Sequence, residues 1–285
     1  MVLAAEANLT VWKYHGLGND FIVVEASASE ATRFRQQGVV ARLCDRRRGI
    51  GADGVLLVDR SAENADARMV VLNRDGSRPE MCGNGVRCVV RHLVETHDLS
   101  SAHVTIATDA GLRTCGWDAH DTWRVSVMMG LADVESDRVT VDAGGAGEYT
   151  FRRVDMGNPH AVTFQAASVE QVDAVGRLLN DDDARFPEGV NLEFAQVSKT
   201  SAGRPRLDVV VYERGVGRTL ACGTGACASA AAYWMEQGGL DDGQSMTVGL
   251  PGGDLDIDVV EGQIRMTGPV CAVFKGQLAS DGLRD

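Results

Sequence analysis

The sequence predicts an α/β (α+β) protein made of two similar, pseudo-symmetric domains. Three observations carry that expectation. First, the stretch 69–88, MVVLNRDGSRPEMCGNGVRC, recurs at 209–228 as VVVYERGVGRTLACGTGACA, without a gap and 140 residues further on. Val70/Val210, Val71/Val211, Arg74/Arg214, Arg78/Arg218, Cys82/Cys222, Gly83/Gly223 and Gly85/Gly225 are identical pairs. Second, Gly18-Asn19-Asp20-Phe21 is echoed by Gly157-Asn158-Pro159-His160 at nearly the same offset. Third, the apolar pattern alternates along the chain between short β-rich runs and helical stripes. At 285 residues the chain has room for two domains of ordinary size.

The elements follow in order. Thr10–Tyr14 and Phe21–Val24 read as strands around the tight polar loop 15–20. Residues 31–44 carry Val39, Val40, Leu43 and Cys44 at helical spacing, and a Gly-rich turn (48–54) then leads into a strand at Val55–Val58. A strand at Met69–Leu72 ends in the loop 73–77. After Cys82, the residues Val86, Val89, Val90, Leu93 and Val94 form one stripe of an amphipathic helix, with Asn84 expected as its N-cap. The matching run after Cys222, from Ala226 to Met235, is apolar nearly all round, which predicts a buried helix ending near Gly238. Strands are expected at 103–108, 112–117, 123–127, 138–141, 149–154, 190–196 and 205–212, and a helix over 168–180. Four short strands, at 245–249, 255–260, 263–267 and 271–275, complete the chain. The division is placed near Met129–Ala132: an N-terminal half, 1–130, to which the tail from about 270 to 285 is expected to return, and a C-terminal half, 131–270.

Composition narrows the function. The formal net charge is −12, and the one basic cluster, Arg46-Arg47-Arg48, reads as a solvated turn, so no nucleic-acid partner is expected. No run approaches a membrane span, so no membrane partner is expected, and the start lacks the pattern of a secretory signal. Seven cysteines without a regular framework then read as reduced thiols in the cytoplasm. There is no GxGxxG after a strand, no P-loop lysine and no HExxH or CxxC, so neither cofactor nor metal is expected.

A lone cysteine in a Gly-rich turn is ordinarily a small buried hydrophobe. Two cysteines in matched Cys-Gly-x-Gly turns, each opening a helix, point to chemistry. A helix N-terminus offers free N–H groups and a positive dipole end, so it favours thiolate and can hold a carboxylate. Two such turns facing one small carboxylate would supply a base on one face of its α-carbon and an acid on the other. Cys82 and Cys222 are therefore the candidate acid/base pair, with preorganised N–H donors stabilising the charge that develops. Cys44, Cys88, Cys115, Cys227 and Cys271 have no such setting and are expected in the core.

The motifs Lys13-Tyr14-His15-Gly16-Leu17-Gly18-Asn19-Asp20-Phe21, Asn73-x-Asp75-Gly76-Ser77, Met81-Cys82-Gly83-Asn84-Gly85-x-Arg87-Cys88, Met156-Gly157-Asn158-Pro159-His160, Asn191-x-Glu193-Phe194 and Tyr212-Glu213-Arg214-Gly215-x-Gly217 with Ala221-Cys222-Gly223-Thr224-Gly225 together closely resemble the diaminopimelate epimerases, from about residue 11 to 275. The resemblance implies cofactor-independent interconversion of LL- and meso-diaminopimelate, in lysine and peptidoglycan precursor synthesis, by a homodimer. It implies two domains, each a curved mixed sheet around a central helix, with the active site in the cleft between them. By motif, Cys82 and Cys222 are catalytic. Gly83, Asn84, Gly223 and Thr224 hold the reacting carboxylate. Asn19, Asn73, Asn158, Asn191, Glu213 and Arg214 bind the remaining charged groups, and His160 and Glu213 modulate thiol ionisation. An Arg fork for the second carboxylate and acceptors for the ammonium groups make independent sense of Arg214 and Glu213.

Two departures from the family pattern stand out. Gly54 offers no side chain where some relatives have a polar one, and Arg218 replaces a commonly acidic residue and is expected to face solvent. Three alternatives remain at this point: a proline- or hydroxyproline-type racemase, against which Asn84 stands where that relative typically has His; a thiol–disulfide redox protein, against which stands the lack of a CxxC; and a binding module that only holds an amino acid.

Overall fold

The computed structural model describes residues 9–26, 34, 38–97, 99, 101–118, 120, 123–181, 183–199 and 204–279. The chain divides into two compact units, Met1–Val127 with Gly268–Asp285, and Met128–Thr267.

In the first unit the strand order is Cys271–Gln277, Thr10–Gly16, Asn19–Glu25, Gly54–Asp59, Ala67–Asn73, His103–Thr108, Gly111–Asp118, and the strand that begins at Arg124. Neighbours pair antiparallel except at two places, where Phe21 faces Gly54 and Ala67 faces Ile106 in parallel register. The sheet is thus mixed, and each parallel step is made by a crossover that contains a helix. Residues 31–33 and 35–37 of the expected 31–44 helix lie outside the described residues, and its described part spans Val39–Cys44. This short helix packs with Ile22, Val24, Val55, Leu57, Val70 and Leu72 in one apolar cluster. The longer crossover helix, Gly83–His97, packs against six of the strands. The predicted stripe explains this: Val86, Val89, Val90 and Leu93 are all fully buried. Each such side chain contributes roughly 1.5–3 kcal/mol on leaving water.

The second unit repeats the pattern. Its order is Asp133–Asp142, Glu148–Asp155, Pro159–Thr163, Asn191–Lys199, Pro205–Glu213, Ser245–Leu250, Gly253–Val260 and the strand that begins at Gln263. Parallel steps again fall at the third and fifth pairings, His160 against Asn191 and Arg206 against Thr247. The helix Val169–Asn180 begins with a Ser168/Gln171 capping box and buries Val172, Val175 and Leu179 against Phe151, Leu192 and Phe194. The helix Gly223–Glu236 packs against seven strands. Its alanines suit both the helix and close approach of surrounding strands, and backbone bonds from Gln237 and Gly239 to Trp234 O close its end.

The two long helices start 140 residues apart, at Gly83 and Gly223, as the self-match requires. Both units are sheet-dominated α/β folds in which a mixed sheet surrounds one helix. The units differ in one connection. The first strand of the second unit directly precedes its neighbour in sequence, whereas the equivalent place in the first unit is filled by the last strand of the chain.

One strand was missed and two expectations need correction. Pro159–Thr163 is a strand, hidden from the sequence reading because its first residue is a proline at the end of a turn. Asn84 is not an N-cap: it lies inside the first turn and is buried, and the cap position is taken by the cysteine before it. Cys271 is exposed, because its strand pairs on one side with Thr10–Gly16 and nearly all its residues are exposed. Cys44, Cys88, Cys115 and Cys227 are buried as expected.

Candidate active site

Each thiol caps its own helix. Cys82 Sγ accepts the Gly85 N–H at 3.4 Å, and Cys222 Sγ accepts the Gly225 N–H at 3.4 Å. Cys222 has the extended backbone of an N-cap, φ −118° and ψ 113°. The next two residues, Gly83-Asn84 and Gly223-Thr224, fall in the first turn, where backbone N–H groups have no acceptor within the helix.

Around Cys82, the asparagines of two motifs meet. Asn19 Oδ1 accepts from Asn84 Nδ2 at 3.1 Å and lies 3.9 Å from the Cys82 sulfur. Asn19 Nδ2 donates to Asp53 at 2.9 Å, which fixes its orientation. Asn84 Oδ1 in turn accepts from Arg87 Nη2 at 2.9 Å, and Arg87 is fully buried. Arg87 was seen in the sequence only as part of a motif; its i, i+3 spacing from Asn84 is the signal that pairs them. Asn73 donates to Ser77 Oγ at 2.9 Å. Gly54 has a structural reason: a Cβ there would lie 2.7 Å from Leu72 O.

Around Cys222 the surroundings are buried and acidic. Its sulfur lies 3.5 Å from Thr224 Oγ1, and the Glu213 carboxylate, which accepts from the Thr219 hydroxyl, acts on it electrostatically. His160 Nε2 lies 3.1 Å from Asn158 Oδ1, and Asn158 Nδ2 lies 3.5 Å from Thr224 Oγ1. His160 Nδ1 lies 2.7 Å from Glu193 Oε1, both side chains being fully buried. Glu193 Oε2 is buried without a hydrogen-bond partner among the described residues. Glu193 was quoted in the sequence only as part of a motif and was given no role there. Only the parallel register of Pro159–Thr163 with Asn191–Lys199 brings it under His160.

Asn191 and Arg214 hold each other. Asn191 Oδ1 accepts the Arg214 N–H at 3.0 Å and its Nδ2 donates to Pro159 O, while the exposed Arg214 reaches Glu188 O. Arg218 is exposed and pairs with Asp173 at 2.7 Å on the helix Val169–Asn180.

The electrostatics of Cys222 overturn one expectation. A helix N-terminus alone lowers a thiol pKa, but here burial pushes Cys222 well above its ordinary value, and the Glu213 and Glu193 carboxylates push it further. The Thr224 hydroxyl and Gly225 N–H oppose this without prevailing. A helix end contributes roughly 0.3–1 kcal/mol at an exposed position, less than the desolvation of a buried anion. Glu213 is itself raised, by burial first and then by Glu193, against hydrogen bonds from Thr219 and Cys222 and the pull of His160. Burial thus raises the proton affinity of both Cys222 and Glu213, and the Glu213 carboxylate opposes ionisation of the thiol.

Two thiols, each at a helix N-terminus within duplicated mixed-sheet units, define an isomerase of the epimerase type. Solved structures share the fold. A hydroxyproline epimerase from Agrobacterium vitis superposes with a TM-score of 0.72 at 18% identity, covering 97% of this chain and 94% of that one. A phenazine biosynthesis protein of the PhzF family from Bacillus anthracis gives 0.71 at 14%, covering 95% and 99%. The sequence comparisons are more specific. The profile of the family described as diaminopimelate epimerase matches residues 11–135 and 152–273. The diaminopimelate epimerase of Synechococcus elongatus is 39% identical over 93% of this chain and 96% of its own length. That of Desulfitobacterium hafniense is 39% identical over 96% and 100%. The chain belongs to the diaminopimelate epimerase family, and this decides against the proline-type and redox alternatives.

Proposed function

We propose that this protein interconverts LL- and meso-diaminopimelate by a two-base reaction in which Cys82 and Cys222 act on opposite faces of one α-carbon. The observation that carries the reading is the duplicated cap: each sulfur sits at a helix N-terminus beside first-turn N–H groups that suit a carboxylate. Breaking the Cα–H bond passes its proton to one sulfur while the other sulfur gives its proton to the same carbon, so the configuration inverts and net charge is conserved. Gly83-Asn84 and Gly223-Thr224 supply N–H groups to the substrate carboxylate, whose oxygens gain charge in the transition state.

When Cys222 is the base, it must first lose its own proton. Glu213 acts on it electrostatically and has a raised affinity for protons, so it is assigned as the acceptor for that step. His160, held by Glu193 and Asn158, lies beside Glu213 and opposes the rise in its proton affinity. Asn19, Asn84 and Asn158 are assigned to the amine and carboxylate groups of the substrate. Asn73, Asn191 and Arg214 serve its distal end, with Asn191 positioning the Arg214 backbone. The reading carries with it no cofactor, lysine and peptidoglycan precursor synthesis, a cytoplasmic setting and a homodimer. No helix among the described residues is long and apolar enough to cross a membrane.

The test is deuterium incorporation at the α-carbon of LL-diaminopimelate in D₂O under reducing conditions. The native protein is expected to exchange and invert, and Cys82→Ser and Cys222→Ser are each expected to lose at least roughly 100-fold. Exchange with proline but not diaminopimelate would keep the chemistry and replace the substrate. No exchange with either would remove the reading.

A further inference from the structure

In the first unit, Glu25, His92 and His97 converge on one point. Glu25 is the last residue of the strand Asn19–Glu25, and the two histidines lie on the helix Gly83–His97, where His97 is the last residue. Glu25 Oε1 lies 3.0 Å from His92 Nε2 and 2.8 Å from His97 Nε2, and the three atoms all lie within 4.8 Å of one another. Glu25 and His97 line an open cavity of about 600 Å³ together with Tyr14 and Glu95. None of these side chains has a part in the reaction proposed above.

We propose that Glu25, His92 and His97 form a binding site for a borderline divalent cation of the zinc class. Two imidazole nitrogens and one carboxylate oxygen are a donor set that zinc, cobalt(II) and nickel take readily, and one that magnesium and calcium do not favour. Donors at about 2.0–2.1 Å in a tetrahedral site stand about 3.3 Å apart, so the Glu25–histidine separations need open by only a few tenths of an ångström. The fourth position is left for water.

The groups behind these donors fit the same reading. His92 Nδ1 lies 3.4 Å from the Tyr14 hydroxyl, which lies 3.4 Å from Glu95 Oε2. With Nε2 on a cation, Nδ1 carries the proton and donates to Tyr14, which donates to Glu95, a chain of the kind that orients metal-bound imidazoles. The Trp12 ring packs edge-on against His92 at 4.7 Å between centroids and holds its plane. His97 is held differently. Arg60 Nη1 lies 2.8 Å from His97 Nδ1, and a guanidinium only donates, so this contact places the imidazole proton on Nε2. Arg60 is exposed, and its contact favours the His97 tautomer that the cation cannot use, so it competes with the cation for the state of His97.

Sequence spacing could not show this site, because its ligands come from a strand and a helix 67 residues apart.

The experiment is a cobalt(II) titration of reduced, tag-free protein followed by visible and near-ultraviolet absorption. One equivalent is expected to bind with nitrogen- and oxygen-ligand bands and no thiolate-to-cobalt charge transfer. His97→Asn and Glu25→Gln are expected to weaken binding at least tenfold, and Arg60→Ala to tighten it several-fold. The Cys82→Ser/Cys222→Ser protein, which removes the competing thiols, is expected to bind as the native protein does. Circular dichroism checks that each variant is folded. His97 ends its helix and Glu25 is partly exposed, so both replacements should leave the fold intact. Absence of stoichiometric binding, a thiolate charge-transfer band, or binding that survives both His97→Asn and Glu25→Gln would overturn the proposal.

Discussion

Glu193 Oε1 lies 2.7 Å from His160 Nδ1, with both side chains closed to solvent and the other oxygen of Glu193 without a partner among the described residues. A buried carboxylate in that position does two things: it fixes the orientation of His160, and it raises the thiol pKa of Cys222. Glu193→Gln keeps the shape and removes the charge. Turnover is expected to fall roughly tenfold, equivalent to about 1.4 kcal/mol of barrier. The pH at which iodoacetamide begins to alkylate Cys222 is expected to move down. A purely structural role would lower activity without moving that pH, so the alkylation profile, read by mass spectrometry of the Cys222 peptide, separates the two.

Buried thiols make the protein alkali-sensitive. Burial pushes Cys44 up to about 11, and Cys88 and Cys115 up to about 12, while Cys222 is raised well above its ordinary value. These are acids whose folded pKa exceeds the unfolded one. Below the unfolded thiol pKa of about 8.5 both states hold their protons and nothing is lost. Above it the unfolded chain ionises first, so stability falls as pH rises towards 11–12. The expected outcome is a Tm that declines steadily from about pH 9 upward under reducing conditions. A Tm unchanged between pH 8 and 11 would contradict it.

Gly225 and Gly85 are equivalent in the repeat but not in consequence. A Cβ at Gly225 would stand 2.5 Å from Glu193 Oε1 and 3.3 Å from Cys222 Sγ, whereas one at Gly85 would meet the flexible end of Leu56 at 3.0 Å. Gly225→Ala is expected to cost about 1–3 kcal/mol of stability by overpacking and to displace both Glu193 and the Cys222 thiol. Gly85→Ala is expected to cost less, because a leucine methyl can yield where a hydrogen-bonded carboxylate cannot. Paired denaturant melts of the two variants, with the rate of Cys222 alkylation, check the contrast.

By itself the sequence determined the duplicated plan, the alternation of strands and helices, and the two cysteines at helix starts. These features are local or repeated: a stripe at i, i+3 and i+4 marks a helix wherever it packs, and a gapless self-match marks equivalent units. The tertiary structure decided what surrounds each thiol. The sequence could not place Glu193 beneath His160, because that contact depends on strand register and on burial. It predicted a lowered pKa at Cys222 from the helix end alone, and the fold reversed the sign by burying that sulfur with two carboxylates. It assigned Cys271 to the core from residue type, and a one-sided strand left it exposed. The residues of the two turns were legible because helix capping acts within three or four residues. Their ionisation was not, because desolvation and charge act through space between residues far apart in the chain.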